Sequence, residues 1–358
     1  MRILHLGVYD RNIGDSIALV NARRSWNEIV PNIEWSQKNI ESFWARKNDV
    51  AYCKKFFSSL SGKVDAVLVG GGGLIEDYHG QGTNYKLPFN REILEACPVP
   101  VFFHGVGLNV FRGNTGYGEE AVKAIQETID YSSGFSVRND GSYEKMRDWV
   151  GLDVSKVPII PDPGLLFLDR FNIPEKEELI TGGFQPAINV GKYINDNRFL
   201  NDNNLETVKN LSIGRLTFPH TIRDAQSFKL NSICSPQEFD IYKKTDNLDR
   251  FIENYKKIDY IVAMRGHGQL MSIGLNIPGI YLSTQDKVLD FSILNGYEEY
   301  NIDIREENWR EELDRKIYLL TEKNSELARK WYNLRETNLP SWYQQSNKFI
   351  KECLKKTV

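Results

Sequence analysis

The chain has 358 residues, 41% of them hydrophobic and 26% charged, which is long enough to bury two separate cores and lies outside the composition of disordered chains. Its 45 Lys and Arg against 48 Asp and Glu leave a net charge of -3; this excludes the basic excess typical of nucleic-acid partners, so any anion site is local. Four cysteines without a C-x-x-C pair, Cys53, Cys97, Cys234 and Cys353, exclude a dense disulfide framework and a spaced zinc site, and they fit a reducing cytoplasm.

The run 3–8 is apolar, but Asp10 and Arg11 follow at once. It reads as a first strand and not as a secretory segment, and no apolar stretch is long enough to span a bilayer. Further β-rich runs at 65–69, 98–104, 134–137 and 157–160 alternate with amphipathic segments. This pattern predicts βα units on a parallel sheet, a first Rossmann-like domain over 1–168, with ligands held beyond the carboxyl ends of the strands.

Those ends carry the candidate residues. Asn12, Gly14 and Asp15 follow the first strand; they cap a helix or hold a hydroxyl-bearing ligand, and taken alone capping is the plainer reading. The run of Gly70, Gly71, Gly72 and Gly73 lets backbone N–H groups approach a substrate at a helix start, but it lacks the Lys and Ser/Thr of a P-loop, and close packing explains it equally well. His104 closes another strand, and Arg138 closes the next. Arg138 offers a planar fork to a carboxylate or phosphate, against the alternative of a surface ion pair. Asp162 sits in the rigid turn Pro161-Asp162-Pro163-Gly164, where it is a candidate hydroxyl acceptor.

The polar stretch between Leu168 and Leu179 reads as a linker. A second Rossmann-like domain is expected over 179–308, with strands near 179–182, 187–190, 215–219, 260–264 and 279–282. The Asn- and Asp-rich segment 195–204 reads as a loop. His220 lies in a polar knot, Thr217 to Asp224, that suits a polyol or ties down a loop. The strongest local signal is Arg265-Gly266-His267-Gly268 between a strand and a helix, a helix start that presents N–H groups and cations to an anion. Lys287 should stand at the neighbouring strand end. Residues 309–358 form a helical tail with a break expected at Pro340, of the kind that packs back across a first domain. Its aromatics and lysines admit peripheral membrane contact, although a helix covering apolar surface with its lysines in water is the plainer reading.

In order and spacing, Asn12-Ile13-Gly14-Asp15, the glycine run with Leu74-Ile75-Glu76-Asp77, Ser136-Val137-Arg138, Pro161-Asp162-Pro163, Arg265-Gly266-His267-Gly268 and Lys287 resemble the polysaccharide pyruvyl transferase family. The resemblance implies an α/β architecture of two doubly wound, Rossmann-like domains around a cleft (GT-B-like). It also implies transfer of a pyruvyl group from phosphoenolpyruvate to two hydroxyls of a saccharide, free or lipid-linked, as a cyclic ketal. By motif position His267, Arg138 and Lys287 would be catalytic and donor-binding. His267 would donate a proton, Arg138 would hold the carboxylate, and Lys287 or Arg265 would neutralise phosphate. Asn12, Gly14, Asp15, Gly71, Gly72, Gly73, His104, Asp162, His220, Arg265, Gly266 and Gly268 would line the binding surface. No cofactor and no metal are expected, and no feature specifies an oligomeric state. Two rivals stand beside this reading: a glycosyltransferase of the same architecture using a nucleotide-sugar donor, and a non-catalytic saccharide-binding protein.

Overall fold

The computed structural model describes residues 1–9, 12–44, 49–76, 87–110, 116–187, 216–221, 224 and 245–357. The first half forms a sheet of β1 (Arg2–Gly7), β2 (Glu34–Asn39), β3 (Ala66–Glu76), β4 (Val101–Asn109), β5 (Gly134–Arg138) and β6 (Ile159–Ile160). Its strand order is β2-β1-β3-β4-β5-β6, and every pairing is parallel. Helices α1 (Ile13–Ile29), α2 (Glu41–Trp44), α3 (Val50–Ser58), α4 (Arg91–Ala96), α5 (Glu119–Tyr131) and α6 (Ser142–Glu144, running into a π-helical turn Lys145–Val150) connect the strands.

Alternation along these strands builds two cores, because neighbouring side chains point to opposite faces. Leu4, Val67, Val69, Val101 and Phe103 meet Phe57, Ile93 and Ile125 on one face. Ile3, Ala66, Leu68 and Phe102 meet Trp26 on the other. That second face is completed by Phe349, Ile350 and Cys353 from the far end of the chain.

The second half repeats the plan. β7 (Gly182–Gln185), β8 (Leu216–Thr217), β9 (Tyr260–Ala263), β10 (Gly279–Ser283) and β11 (Asn301–Asp303) pair in the order β11-β10-β9-β7-β8, again all parallel. They carry α7 (Thr245–Tyr255), α8 (Gly266–Leu275), α9 (Asp286–Leu294), α10 (Trp309–Thr321) and α11 (Glu326–Leu354). In each sheet the strand order reverses once, at β1/β3 and at β7/β9, and a crevice for ligand opens at such a reversal. The loops from these two places face each other.

Several expectations are corrected. The glycine run does not start a helix: β3 continues through it to Glu76, with a register shift between Gly72 and Ile75. β4 runs five residues past His104. The strand expected at 179–182 is found at Gly182–Gln185, and the edge strands β2 and β11 had no signal because they are short and half-exposed or polar. Pro340 does not break the tail. α11 is continuous through it, since a proline removes one backbone bond while Trp331 and Trp342 are buried on either side. Tail aromatics Trp331, Tyr332, Trp342 and Phe349 are all buried, so they cover apolar surface and do not form a membrane-facing aromatic stripe. Most of the strand expected at 187–190 and all of the loop 195–204 lie outside the described residues. Among the described residues, no helix is long and apolar enough to cross a membrane.

Candidate active site between the two sheets

α1 is the next element after β1, and the Asn12 side chain caps it by accepting from the Gly14 amide at 3.0 Å. The cap fixes the first turn so that Asp15 faces the second sheet. Opposite it, β9 ends at Ala263 and Arg265 leads into α8, whose first turn has no side-chain cap. His267 in that turn lies against Gly14 so closely that a Cβ there would fall 2.2 Å from the His267 Cβ. Glycine at position 14 is thus required by the approach of the two halves.

His267 lies between two carboxylates, Nδ1 3.6 Å from Asp15 and Nε2 3.9 Å from Asp162. Nε2 is buried with no hydrogen-bond partner. Burial pulls the imidazole down to about 4; Asp15 opposes this, while Arg138 and Lys287 add to it. The ring is therefore neutral at pH 7 until negative charge arrives beside it. Lys287, at the first turn of α9, reaches across to Asn109 at the end of β4, Nζ to Oδ1 3.5 Å. Asn109 in turn donates to the Gly73 carbonyl at 2.9 Å.

Arg138 does not present an open fork. The residue is 3% exposed, with Nε 2.5 Å from Asp140 and Nη1 3.0 Å from Asp162. Burial alone would lower its pKa, but Asp140, Asp162 and Asp15 together raise it. Asp162 is itself fixed, accepting from the Gly164 amide at 2.8 Å, while its own amide donates to Asn139. Arg265 is held by Asp224 through two bonds of 2.9 and 2.8 Å, and its side chain keeps 19% exposure. Behind it His220 pairs with the Tyr255 hydroxyl at 3.1 Å and is fully buried, while its carbonyl accepts from the Ile13 amide. His220 therefore ties the two halves together from below the cleft.

Of the residues singled out in the sequence, the structure gathers Asn12, Gly14, Asp15, Asp162, Arg138, His267 and Lys287 at one place. The glycines divide. A Cβ at Gly72 would meet Asp15 and one at Gly266 would near Lys287, whereas Gly71 packs on the backbone of Leu19, Gly73 on Asn109 and Gly268 on Gln185. His104 is not brought there. It is fully buried, accepts from the Trp26 indole at 2.9 Å and lies beside Phe349 in the core under the sheet. Asp140, Gln185 and Asn109 were not singled out, and Asp224 was read only as the end of the polar knot, although a buried arginine at a strand end implies carboxylate partners. Among the described residues no cluster of His, Cys, Asp and Glu is arranged to hold a metal.

Two doubly wound parallel sheets with a polar cleft between their reversal points define the GT-B class of fold. Solved structures agree at the level of architecture. Arabidopsis thaliana UGT89C1 complexed with UDP matches with a TM-score of 0.55 at 11% identity, over 99% of both chains. Glycyrrhiza uralensis UGT73P12 complexed with glycyrrhetinic acid 3-O-monoglucuronide matches with a TM-score of 0.52 at 9% identity, over 100% of this chain and 95% of that one. No curated protein matches the sequence. The chain belongs to the polysaccharide pyruvyl transferase family, whose pattern it matches over residues 12–287; it is a transferase of saccharide pyruvylation.

Proposed function

We propose that the protein transfers the pyruvyl group of phosphoenolpyruvate to two hydroxyls of a saccharide, forming a cyclic ketal and releasing phosphate, in polysaccharide or glycoconjugate synthesis. The observation that carries this reading is the position of His267, between Asp15 and Asp162 and within the field of Lys287. A cytoplasmic setting, read from cysteine usage, belongs to the same proposal.

The donor brings a carboxylate and a phosphate to Lys287, Arg265 and the uncapped start of α8. Their negative charge raises the pKa of His267, which takes up a proton as the donor binds. Nδ1 then protonates the methylene carbon, while the charged ring's Nε2–H closes on Asp162, 3.9 Å away before donor binds, and is oriented by it. C2 becomes electrophilic, and one sugar hydroxyl adds to it. Asp15 receives that hydroxyl's proton: at 24% exposure it is the most open carboxylate of the site, the others being committed to arginines. Phosphate leaves C2, carrying the proton of the second hydroxyl as that oxygen closes the ring. Asp15 returns its proton to Nδ1.

Arg138 acts here as a positioning residue that holds Asp162, which replaces the direct carboxylate contact expected from sequence. The test is mass spectrometry of a saccharide panel incubated with protein and phosphoenolpyruvate, where a gain of one pyruvate less water is expected. His267→Ala should lose turnover by roughly 10²–10⁴-fold while still binding donor. Stabilisation against heat by UDP but not by phosphoenolpyruvate would overturn the reading in favour of a nucleotide-sugar donor.

A further inference from the structure

At the opposite edge of the first sheet, where β5 and β6 begin, lies a cavity of about 340 Å³. Phe135 and Ile160 from the sheet and Phe349 and Cys353 from α11 give it apolar walls, and Ile159, 38% exposed, forms a lip. Lys156, Lys348 and Lys356 also line it, against one carboxylate, Glu352. That carboxylate is already paired with Lys355 at 2.7 Å, and Lys356 donates to the Ser133 carbonyl. Lys156 and Lys348 are exposed, and Lys348 continues along α11 with the exposed Lys351 and Lys355 as a basic stripe.

Apolar walls below a group of cations suit one chemistry, an acyl chain beneath an anionic headgroup. We propose that this cavity binds an acyl chain of an anionic membrane phospholipid, with the lipid phosphate on Lys156 and Lys348. Gly134 and Arg138 stand at opposite ends of β5, about 13 Å apart along an extended strand. Lipid bound at this edge therefore leaves the cleft open, and the inference does not depend on which group is transferred there.

The test is calorimetric titration with dihexanoyl phosphatidylglycerol below its micellar concentration. Saturable one-to-one binding is expected, with dihexanoyl phosphatidylcholine weaker by roughly tenfold and inorganic phosphate weaker still. Lys156→Ser combined with Lys348→Ser should lower the dihexanoyl phosphatidylglycerol affinity by roughly tenfold and abolish sedimentation with vesicles containing dioleoyl phosphatidylglycerol. Both side chains are exposed, and an unchanged urea transition verifies the fold. Unaltered affinity in the double variant, or inorganic phosphate binding as tightly as the lipid, would overturn the proposal. Neither donor nor acceptor is present, so this failure is separable from failure of the pyruvyl-transfer reading.

Discussion

Arg138 carries the sharpest contrast between two roles. A fork presented to the donor and a fork spent on Asp140 and Asp162 predict different kinetics for Arg138→Lys. A single ammonium cannot span both carboxylates, so one of them is left undercompensated in a buried place, at a cost of roughly 3–5 kcal/mol when such a pair is broken. Loosening of Asp162 then frees the His267 ring. The expected outcome is a lower kcat with little change in KM for phosphoenolpyruvate, together with a lower urea midpoint. A raised KM at unchanged kcat would restore the direct contact expected from sequence. Histidine, arginine and lysine at strand ends were legible because ligands bind beyond the carboxyl edge of an open α/β sheet, but the sequence did not show that Arg138 and His220 are held in buried pairs there. Asp140 and Asp224 were not legible as partners, since a carboxylate near a basic residue reads the same whether the pair is buried or solvated. His104 was misplaced for a simple geometric reason. β4 extends beyond its apolar run, so Asn109 and not His104 reaches the cleft.

At the scale of elements, α8 is the part whose placement matters most, because its first turn carries His267. Its last turn is fixed by Arg335 of α11, which is buried and donates to the Ile273 carbonyl at 2.8 Å, to Gly274 at 3.3 Å and to the Asn172 side chain at 2.9 Å. The last carbonyls of a helix lack partners within it and favour a cation. Arg335→Met keeps the apolar stem and removes every donor. It should therefore cost roughly 1.5–3 kcal/mol in urea unfolding, the range for hydrogen bonds to a charged group. A loss below about 0.5 kcal/mol, the size of an ordinary surface substitution, would show that α8 needs no such clamp. This clamp could not be read from the sequence, since one arginine in an amphipathic helix resembles its solvated neighbours. By contrast α8 itself, with β9 before it, follows directly from the apolar run and the Arg265-Gly266-His267-Gly268 turn, while its end at Asn276 in left-handed geometry is a finding of the structure.

For the whole molecule, the two-sheet plan was legible because alternation of apolar runs and helical segments fixes parallel βα units, while the meeting of the two reversal points is a tertiary fact. Folding buries histidines in two places, His5 and His104 within the first half and His220 and His267 where the two halves meet. His5, His104, His220 and His267 all titrate below the ordinary imidazole range, chiefly through burial, with His104 at about 3 and His267 at about 4. His5 is held neutral by burial and then by the Arg23 guanidinium, whose Nε donates to His5 Nδ1 at 3.0 Å, and His104 by burial, with the Trp26 indole donating to its Nδ1. In the unfolded chain each returns to about 6.5. Below that pH the unfolded state binds protons that the folded state refuses, so stability is complete above about pH 7 and declines as pH falls toward the folded values. Each histidine contributes about 0.7 kcal/mol per pH unit at about pH 6.5, where the unfolded ring is half protonated, rising to about 1.4 well below it, so the four together approach ~5 kcal/mol per unit only at the acid end of the range, comparable with the whole stability of a small domain. Urea titrations between pH 7.5 and pH 5, values taken as roughly one unit either side of the histidine range, should show that loss. His104→Gln can still accept from Trp26, and it should flatten the slope by about one quarter. Saturating phosphoenolpyruvate should flatten it again by charging His267 in the folded state. A midpoint independent of pH across that window would mean that these four rings are not sealed from water, and the close approach of Gly14 to His267 would be wrong with it.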